Sequence, residues 1–246
     1  ISSGDIESPG QIGWYWAPAT VVRAALESMY HTGELSIHHK EGTRKHYAFT
    51  ENILPGEIRE QPDPNKTLKD YHDWFTLRRI ASQGLYWNRG GGGAWLGTDM
   101  KKKERTASIK RLMEKEKLIP LTIEGVSTPF FMRTEEVALL NRVKDNKNLP
   151  GGGAAFIAPL DNLIWDRRMV EELFGFDYRW EVYTPEKQRK YGYYVLPVIH
   201  KDRFIARFEP IMDKKKGVLK VENWWWEKGE TMTDEILMDL KKILVL

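Results

Sequence analysis

One order of helix and strand patterns occurs twice in this chain of 246 residues, and this repeat constrains the fold more than any other feature. The copies are 83 positions apart, the distance from Leu26 to Ile109, and they align without a gap. The first copy predicts a helix in 17–33 and strands at 35–40 and 45–49; the second predicts a helix in 106–116 and strands at 118–123 and 129–132. The matching pairs are Leu26 and Ile109, Met29 and Leu112, Tyr30 and Met113, Leu35 and Leu118, Gly42 and Gly125, Tyr47 and Phe130, and Phe49 and Met132. We interpret the repeat as a tandem duplication that keeps its turn glycine.

A helix followed by a hairpin, with another helix before it, is the layout of a winged helix-turn-helix unit. In that unit the helix before the hairpin can enter the major groove of DNA. The second copy has its leading helix, predicted over 68–83. The first copy has only residues 1–16 before its helix, so we expect its leading helix to lie upstream of Ile1 in a longer protein.

The pattern becomes mainly β after residue 153. Strands are predicted at 155–158, 191–199, 203–209 and 217–226, and helices at 163–173 and from 234 onward. The glycine runs at 90–93 and 151–153 lack the spacing of phosphate-binding loops and are interpreted as flexible connectors. At least one of the three tryptophans at 224–226 should face away from the core, because side chains alternate along a strand.

We therefore predict an α+β protein with tandem winged helix-turn-helix units followed by a mainly β domain. The expected domains are 1–55, a winged-helix unit without its first helix; 56–148, a second winged-helix unit; and 149–246, the β-rich part. A chain of this length can bury a core without disulfides or metals.

Charge is unevenly distributed. Lys and Arg number 38 against 35 Asp and Glu, yet residues 99–119 hold eight bases and four acids, and residues 187–220 hold ten bases and three acids. Basic segments on a nearly neutral chain are typical of a local nucleic-acid surface, although each lysine run can also be a solvated face. The candidate DNA-binding residues are Arg44, Lys45, Lys101, Lys102, Lys103, Arg105, Lys110, Arg111, Arg189 and Lys190.

Metal and cofactor chemistry find little support in the sequence. The absence of cysteine excludes disulfides, thiolate zinc sites and iron–sulfur clusters. His38, His39 and His46 could hold zinc, but strand side chains alternate faces and no carboxylate spacing completes the set, so we favour phosphate contact and predict neither metal nor cofactor. Because no segment approaches the ~18 apolar residues of a membrane span, we expect a cytoplasmic protein without a membrane partner. We also expect a monomer that binds double-stranded DNA.

A longer signature lies in the C-terminal part. The stretch 156–168, Phe-Ile-Ala-Pro-Leu-Asp-Asn-Leu-Ile-Trp-Asp-Arg-Arg, continues through 173–178 and 183–197. It resembles the bacterial winged-helix DNA glycosylases of the YcaQ/AlkZ type, and the YcaQ branch most closely. Gly-Trp-Tyr-Trp at 13–16 and Gly-Glu-Leu at 33–35 fit the same family. The resemblance implies tandem winged helices around DNA, a barrel-like C-terminal part, excision of N-alkylated purines and unhooking of interstrand crosslinks.

Catalysis in that family is assigned to a Gln-apolar-Gln or Gln-apolar-Asp motif in an N-terminal winged helix, which we expect upstream of this chain. Gln61-Pro62-Asp63 matches by letters only, since proline stands in the middle of an acidic linker. An N7-alkylated purine leaves as a neutral base, so the enzyme mainly positions water and stabilises the sugar cation. We therefore predict the DNA-binding part of a DNA-repair glycosylase, with no catalytic residue of its own.

Two alternatives stay open at this point. The same winged helices would suit a transcriptional regulator that reads a specific sequence, and a scaffold without DNA binding is a further possibility. Five polar residues near the signature are interpreted as structural ion-pairing groups rather than ligand contacts: Asp161, Asp166, Arg167, Arg168 and Asp177.

Overall fold

The computed structural model describes residues 1–15, 17–90, 93–145 and 153–244. It separates into two compact units, Ile1–Pro64 and Asn65–Leu246. Helices and strands are mixed throughout, which confirms the α+β class. The expected boundary at 148/149 lies outside the described residues, and the expected division at 55/56 stays a prediction.

The first unit consists of a helix and a hairpin. Its elements are β1 (Gln11–Ile12), β2 (Ala19–Thr20), α1 (Val21–Thr32), β3 (Leu35–Glu41), β4 (Arg44–Phe49) and α2 (Gly56–Arg59). The prediction that α1 starts at residue 17 is wrong, because β2 pairs with β1 and Thr20 then caps the helix by accepting from the backbone N–H of Arg23. Leu26, Leu35 and Tyr47 form its small core, which joins α1 to the hairpin.

The second unit begins with two helices and a three-stranded sheet. The elements are α3 (Leu68–Gln83), β5 (Leu85–Trp87), α4 (Lys102–Glu114), β6 (Leu118–Ile123), β7 (Val126–Arg133) and α5 (Val137–Asp145), with sheet order β5-β7-β6. The predicted bounds of α3 are confirmed, since Thr67 and Asp70 form a capping box at its start. Trp87 and Phe130 are fully buried and stack at 5.5 Å in its core.

The two copies of the repeat fold alike. Leu26 and Ile109 are both buried, each in the helix before a hairpin, and the hairpin pairs Leu35/Leu118 and Tyr47/Phe130 are also buried. Gly42 and Gly125 both have positive φ, +59° and +79°. Both turns contain two residues, but the second is shifted by one position in the alignment, because the strand ends pair as Glu41 with Arg44 in the first copy and as Ile123 with Val126 in the second.

The C-terminal strands form an open sheet. They are β8 (Ala154–Phe156), β9 (Leu196–His200), β10 (Arg203–Asp213) and β11 (Val218–Trp226), with antiparallel order β11-β10-β9-β8; they are accompanied by α6 (Arg167–Phe174) and α7 (Asp234–Leu244). Within the described ranges β8 and β11 stay unpaired with each other, so the barrel-like expectation is wrong. The predicted strand at 191–199 begins only at Leu196, and the predicted helix at 163–173 is divided, because Asp166 caps a new helix.

The three consecutive tryptophans alternate across this sheet, as predicted. Trp224 and Trp226 pack on the core that α7 covers, and Trp224 lies 5.9 Å from Phe208. Trp225 contacts Tyr191 edge-on at 5.4 Å. The alternation follows from the strand period of two.

Candidate nucleic-acid interface

The start of α4 presents a run of exposed lysines. Lys101 occupies the N-cap position without a side-chain capping bond, and Lys102 and Lys103 form the first turn; all three are exposed. The first backbone N–H groups of a helix have no partner within the helix and carry a partial positive charge. Three ammonium groups added to that helix end make it a site where a phosphate would be attracted.

Arg105 differs from its neighbours because it is buried, with only 7% of its surface exposed. Its Nε donates to Asn88 Oδ1 at 3.0 Å and its Nη1 donates to the carbonyl of Met100 at 2.9 Å. The guanidinium also lies 5.4 Å from the ring centroid of Trp95. Burial lowers the pKa of Arg105. Arg105 therefore packs inside the protein, and its guanidinium is not accessible to a ligand.

Lys110 and Arg111 are neighbours in sequence but have different surroundings. The Lys110 side chain is 75% exposed and its ammonium is 3.8 Å from Glu114. Arg111 is held by Asp73 of α3, with Nη2 at 2.6 Å and Nε at 3.0 Å from Oδ1. Lys115 adds a 3.1 Å bond to the same carboxylate. Arg111 therefore ties α4 to α3, and only Lys110 of the two is exposed to solvent.

Asp73 joins α3 to α4 through its side-chain carboxylate, and the sequence analysis did not predict this role. It is buried, and its environment acts on the pKa in two directions. Desolvation raises the pKa, but hydrogen bonds from Arg111, Ser108 and Lys115 outweigh it, so the pKa of Asp73 is lowered. Its partners are some forty positions away in the chain, and no local pattern in the sequence indicates them.

The first hairpin carries two of the candidate cations near its turn. Arg44 is exposed and lies against Gly4, where a Cβ would be 3.4 Å from the guanidinium carbon. The Lys45 ammonium is 5.5 Å from the ring centroid of Tyr30. Both residues line a cavity of about 350 Å³, together with Arg23 and Glu27. The three cations around one acid give this cavity a positive balance.

Arg189 and Lys190 lie in a loop that is held by a buried acid. Glu181 accepts from the backbone N–H groups of Lys190 at 2.8 Å and Tyr191 at 2.9 Å. Desolvation raises the pKa of Glu181, but these backbone hydrogen bonds outweigh it and lower the pKa overall. Arg189 donates to the carbonyl of Thr184 and lies 5.0 Å from the ring of Tyr193. The loop is therefore a fixed surface of cations and aromatic rings.

Much of the charge in segment 187–220 is neutralised by acids that the tertiary structure brings to it. Arg207 binds Glu227 at 2.7 Å, and Arg203 binds Glu230 at 2.6 Å. Lys201 likewise pairs with Glu235. Lys220 pairs with Asp213, an acid of the segment itself. The net charge of a sequence segment therefore overstates the field that a ligand would meet here.

Asp166, one of the polar residues near the signature, has its partners inside the protein. It is 1% exposed and accepts from the Tyr86 hydroxyl at 2.7 Å and from Trp87 Nε1 at 2.9 Å. Arg168 donates to the carbonyl of Gly90, and Arg167 lies 5.3 Å from the ring of Tyr178. These bonds join the signature segment to the β5 region.

The glycine run at 90–93 packs closely against other residues at Gly93, in addition to connecting two elements. A Cβ on Gly93 would lie 2.4 Å from the Cβ of Asp166 and 2.5 Å from the Tyr86 hydroxyl, so the backbone approaches this pair more closely than any side chain permits. Residues 91 and 92 of the run, residues 151 and 152 of the other run, and Trp16 lie outside the described residues.

Gln61-Pro62-Asp63 lies in an exposed segment between α2 and α3. Neither a helix nor a strand contains these residues. The position is in keeping with a linker.

Comparison with known families decides what kind of protein carries this surface. The family described as DNA glycosylase AlkZ-like matches residues 1–243, nearly the whole chain. The chain belongs to this family. The resemblance of the 156–168 signature to the DNA glycosylases is thereby confirmed at the level of the AlkZ-like family. No solved structure matches the chain.

As an AlkZ-like glycosylase, the chain is expected to act on DNA. Within the described residues, none of the helices combines the length and apolar character that crossing a bilayer requires.

Proposed function

We propose that this chain provides the DNA-binding scaffold of a DNA-repair glycosylase that excises N-alkylated purines and unhooks interstrand crosslinks. The helix-and-hairpin copies act as winged helices, and α4 approaches the duplex with its N-terminal end. The partner is alkylated or crosslinked double-stranded DNA.

The observation that carries this proposal is the set of cations that stay accessible once internal pairing is taken into account. Arg105 and Arg111 are engaged in packing, whereas Lys101, Lys102 and Lys103 surround the start of α4. Arg44 and Lys45 flank the cavity of the first hairpin. Such groups bind the phosphates of the DNA backbone, and these contacts give affinity that does not depend on base sequence. An enzyme that searches DNA for lesions requires binding of this kind.

The order of elements in the second unit supports the winged-helix assignment. Helix α3, strand β5, helix α4 and the β6–β7 hairpin follow one another, and β5 adds to the hairpin as a third strand. In winged helices the helix before the hairpin is the one that meets DNA. The lysine run lies on that helix, at the end where the backbone dipole is positive.

The test is binding of a duplex that contains an N7-alkylated guanine, measured over a range of salt concentrations. The variant that replaces Lys101, Lys102 and Lys103 by Ala should bind more weakly, and the slope of log K against log salt should fall by about one to three, since each lost phosphate contact removes roughly 0.9. A variant with Ala at Lys66, Lys69 and Lys241 removes the same charge from exposed positions elsewhere and should keep the slope.

Equal slopes in the two triple variants would show that α4 does not contact the duplex. Release of the damaged base from alkylated or crosslinked DNA tests the enzymatic part of the proposal. A footprint confined to one preferred sequence, with no release of base, would instead favour the transcriptional regulator.

A further inference from the structure

Three side chains near the first hairpin turn lie together on one face, outside the proposed DNA contacts. The Nε2 atom of His39 is 3.7 Å from Glu41 Oε1, and the Nε2 atom of His46 is 3.3 Å from Glu41 Oε2. The two imidazole rings stack at 4.4 Å with 11° between their planes. One ligand atom from each residue lies within 4.8 Å of the other two.

A β-bulge brings these residues together. Ile37 pairs with Tyr47, and an uninterrupted ladder would place His38 opposite His46. The register shifts between Ile37 and His39, so that His39 faces His46 instead. The sequence argument against zinc assumed simple alternation without this bulge, and its conclusion that no carboxylate completes the set is wrong. Glu41 follows His39 by two residues and therefore lies on the same face of β3.

The spacing of the three groups suits one small divalent cation. Bonds of about 2.0–2.2 Å to imidazole nitrogen and carboxylate oxygen at tetrahedral angles place the ligand atoms roughly 3.3–3.6 Å apart. The measured separations from Glu41 to His39 and His46 are 3.7 and 3.3 Å. For both nitrogen lone pairs to meet at a common point, the stacked rings would have to rotate about χ2, which is a soft torsion in histidine.

The environment of each histidine leaves its Nε2 available. His46 Nε2 is buried and has no hydrogen-bond partner among the described residues, although the atom can accept or donate. The Nδ1 atoms of His38 and His39 are 2.8 Å apart. When His39 binds metal through Nε2, its Nδ1–H donates to His38 Nδ1, the outer hydrogen bond that commonly orients a metal-binding imidazole.

A second cluster in the other unit offers a contrast. His200, Glu235 and Asp239 also lie close together. There, however, Lys201 binds Glu235 at 2.6 Å and Lys242 binds Asp239 at 2.7 Å, so that ammonium groups already neutralise the acids. In the first hairpin the Arg44 side chain, which stands opposite Glu41 in the ladder, lies against Gly4.

We propose that His39, Glu41 and His46 form a Zn²⁺ site that links the two strands of the first hairpin. Nε2 of each histidine and one carboxylate oxygen of Glu41 are the three protein ligands, and the fourth position is open to water. Two nitrogens and one oxygen match the ligand preferences of zinc. Because the ligands lie on facing strands, binding stabilises the hairpin near its turn.

The experiment is a titration of the chain with Zn²⁺, followed by calorimetry in the absence of DNA, so that its outcome is independent of the proposed function. Co²⁺ serves as a spectroscopic probe, because the intensity of its visible absorption bands distinguishes four-coordinate from six-coordinate metal. One equivalent of Zn²⁺ should bind and raise the melting temperature. His39→Ala and Glu41→Gln should each weaken binding by at least about tenfold, since a site with two ligands left holds zinc poorly.

His31→Gln is the matched control, since His31 is an exposed histidine of the same unit outside the cluster. It should bind Zn²⁺ like the unaltered chain. Far-UV circular dichroism of each variant shows whether the hairpin unit still folds, and His46→Gln provides a second test from the facing strand. The proposal is overturned if the unaltered chain binds no zinc, or if folded His39→Ala and His46→Gln variants bind it unchanged.

Discussion

The hydroxyl of Tyr86 donates a 2.7 Å hydrogen bond to Oδ2 of Asp166, a residue 80 positions later in the chain. Trp87 Nε1 donates to the same oxygen at 2.9 Å, while the other carboxylate oxygen accepts from the backbone N–H of Met169 and caps α6. Burial, and next the bond to Asp166, raise the pKa of Tyr86, so its hydroxyl keeps its proton. The family signature is thus tied to the second copy of the repeat through one buried carboxylate.

Replacing Asp166 by Asn should destabilise the protein. Whichever way the amide is turned, its NH₂ group faces either the donors from Tyr86 and Trp87 or the backbone N–H of Met169. Leaving such a buried donor unpaired costs about 2 kcal/mol. The free energy of unfolding, measured in urea, should fall by that amount. The exposed cap Asp161→Asn should change it by less than about 0.5 kcal/mol, because Asn caps helices as well as Asp.

Gly93→Ala tests the close approach of the backbone to the same pair. The new Cβ would lie 2.4 Å from the Asp166 side chain, and φ is +55°. Gly97→Ala is a matched control, since φ is +72° and nothing lies within 4 Å. The control should lose about 1 kcal/mol from backbone strain alone. Gly93→Ala should lose at least about 2 kcal/mol more by chemical denaturation, and equal losses would show that the contact is easily relaxed.

The hydrogen bonds that Asp73 accepts from Arg111, Ser108 and Lys115 should make the free energy of unfolding depend on pH. The folded pKa of Asp73 is lower than its usual value, so the carboxylate stabilises the folded state above about pH 4, and this contribution is lost as pH falls through the folded pKa. Asp73→Asn lacks the titrating group. The difference in unfolding free energy between the two proteins should therefore be largest near neutral pH and shrink below pH 4, as measured by urea unfolding at several pH values. A difference that grows on acidification would contradict this assignment.

Arg111→Ala should affect stability more than DNA binding. Its guanidinium makes three hydrogen bonds to Asp73, and its loss leaves a buried carboxylate with fewer partners. We expect a loss of about 1–2 kcal/mol in unfolding free energy and an unchanged salt slope of duplex binding. Lys110→Ala changes the neighbouring exposed residue and should leave stability within about 0.5 kcal/mol. A lower salt slope with Arg111→Ala would place this side chain on the DNA.

The sequence predicted the bounds of helices and strands best where interactions between residues near one another in the chain set those bounds. The bounds of α3 and β6 agree with the sequence prediction, because a capping box begins the former and the turn that contains Gly125 ends the latter. The start of α1 was predicted too early, because pairing of β2 with β1 competes with helix for residues 19 and 20. The barrel-like expectation came from the family resemblance, because the strand pattern itself says nothing about whether the first and last strands meet.

The sequence alone determined the repeat, the mixed class and the family, since these depend on periodicity and on residues near one another in the chain. The tertiary structure decided which cations remain exposed and which histidines meet. Asp73 pairs with Arg111 across 38 positions, Asn88 and Met100 hold the buried Arg105, and one bulge turns His39 toward His46. Ion pairs and metal ligation require groups within a few ångströms of one another, and only the folded chain sets the distances between residues far apart in sequence.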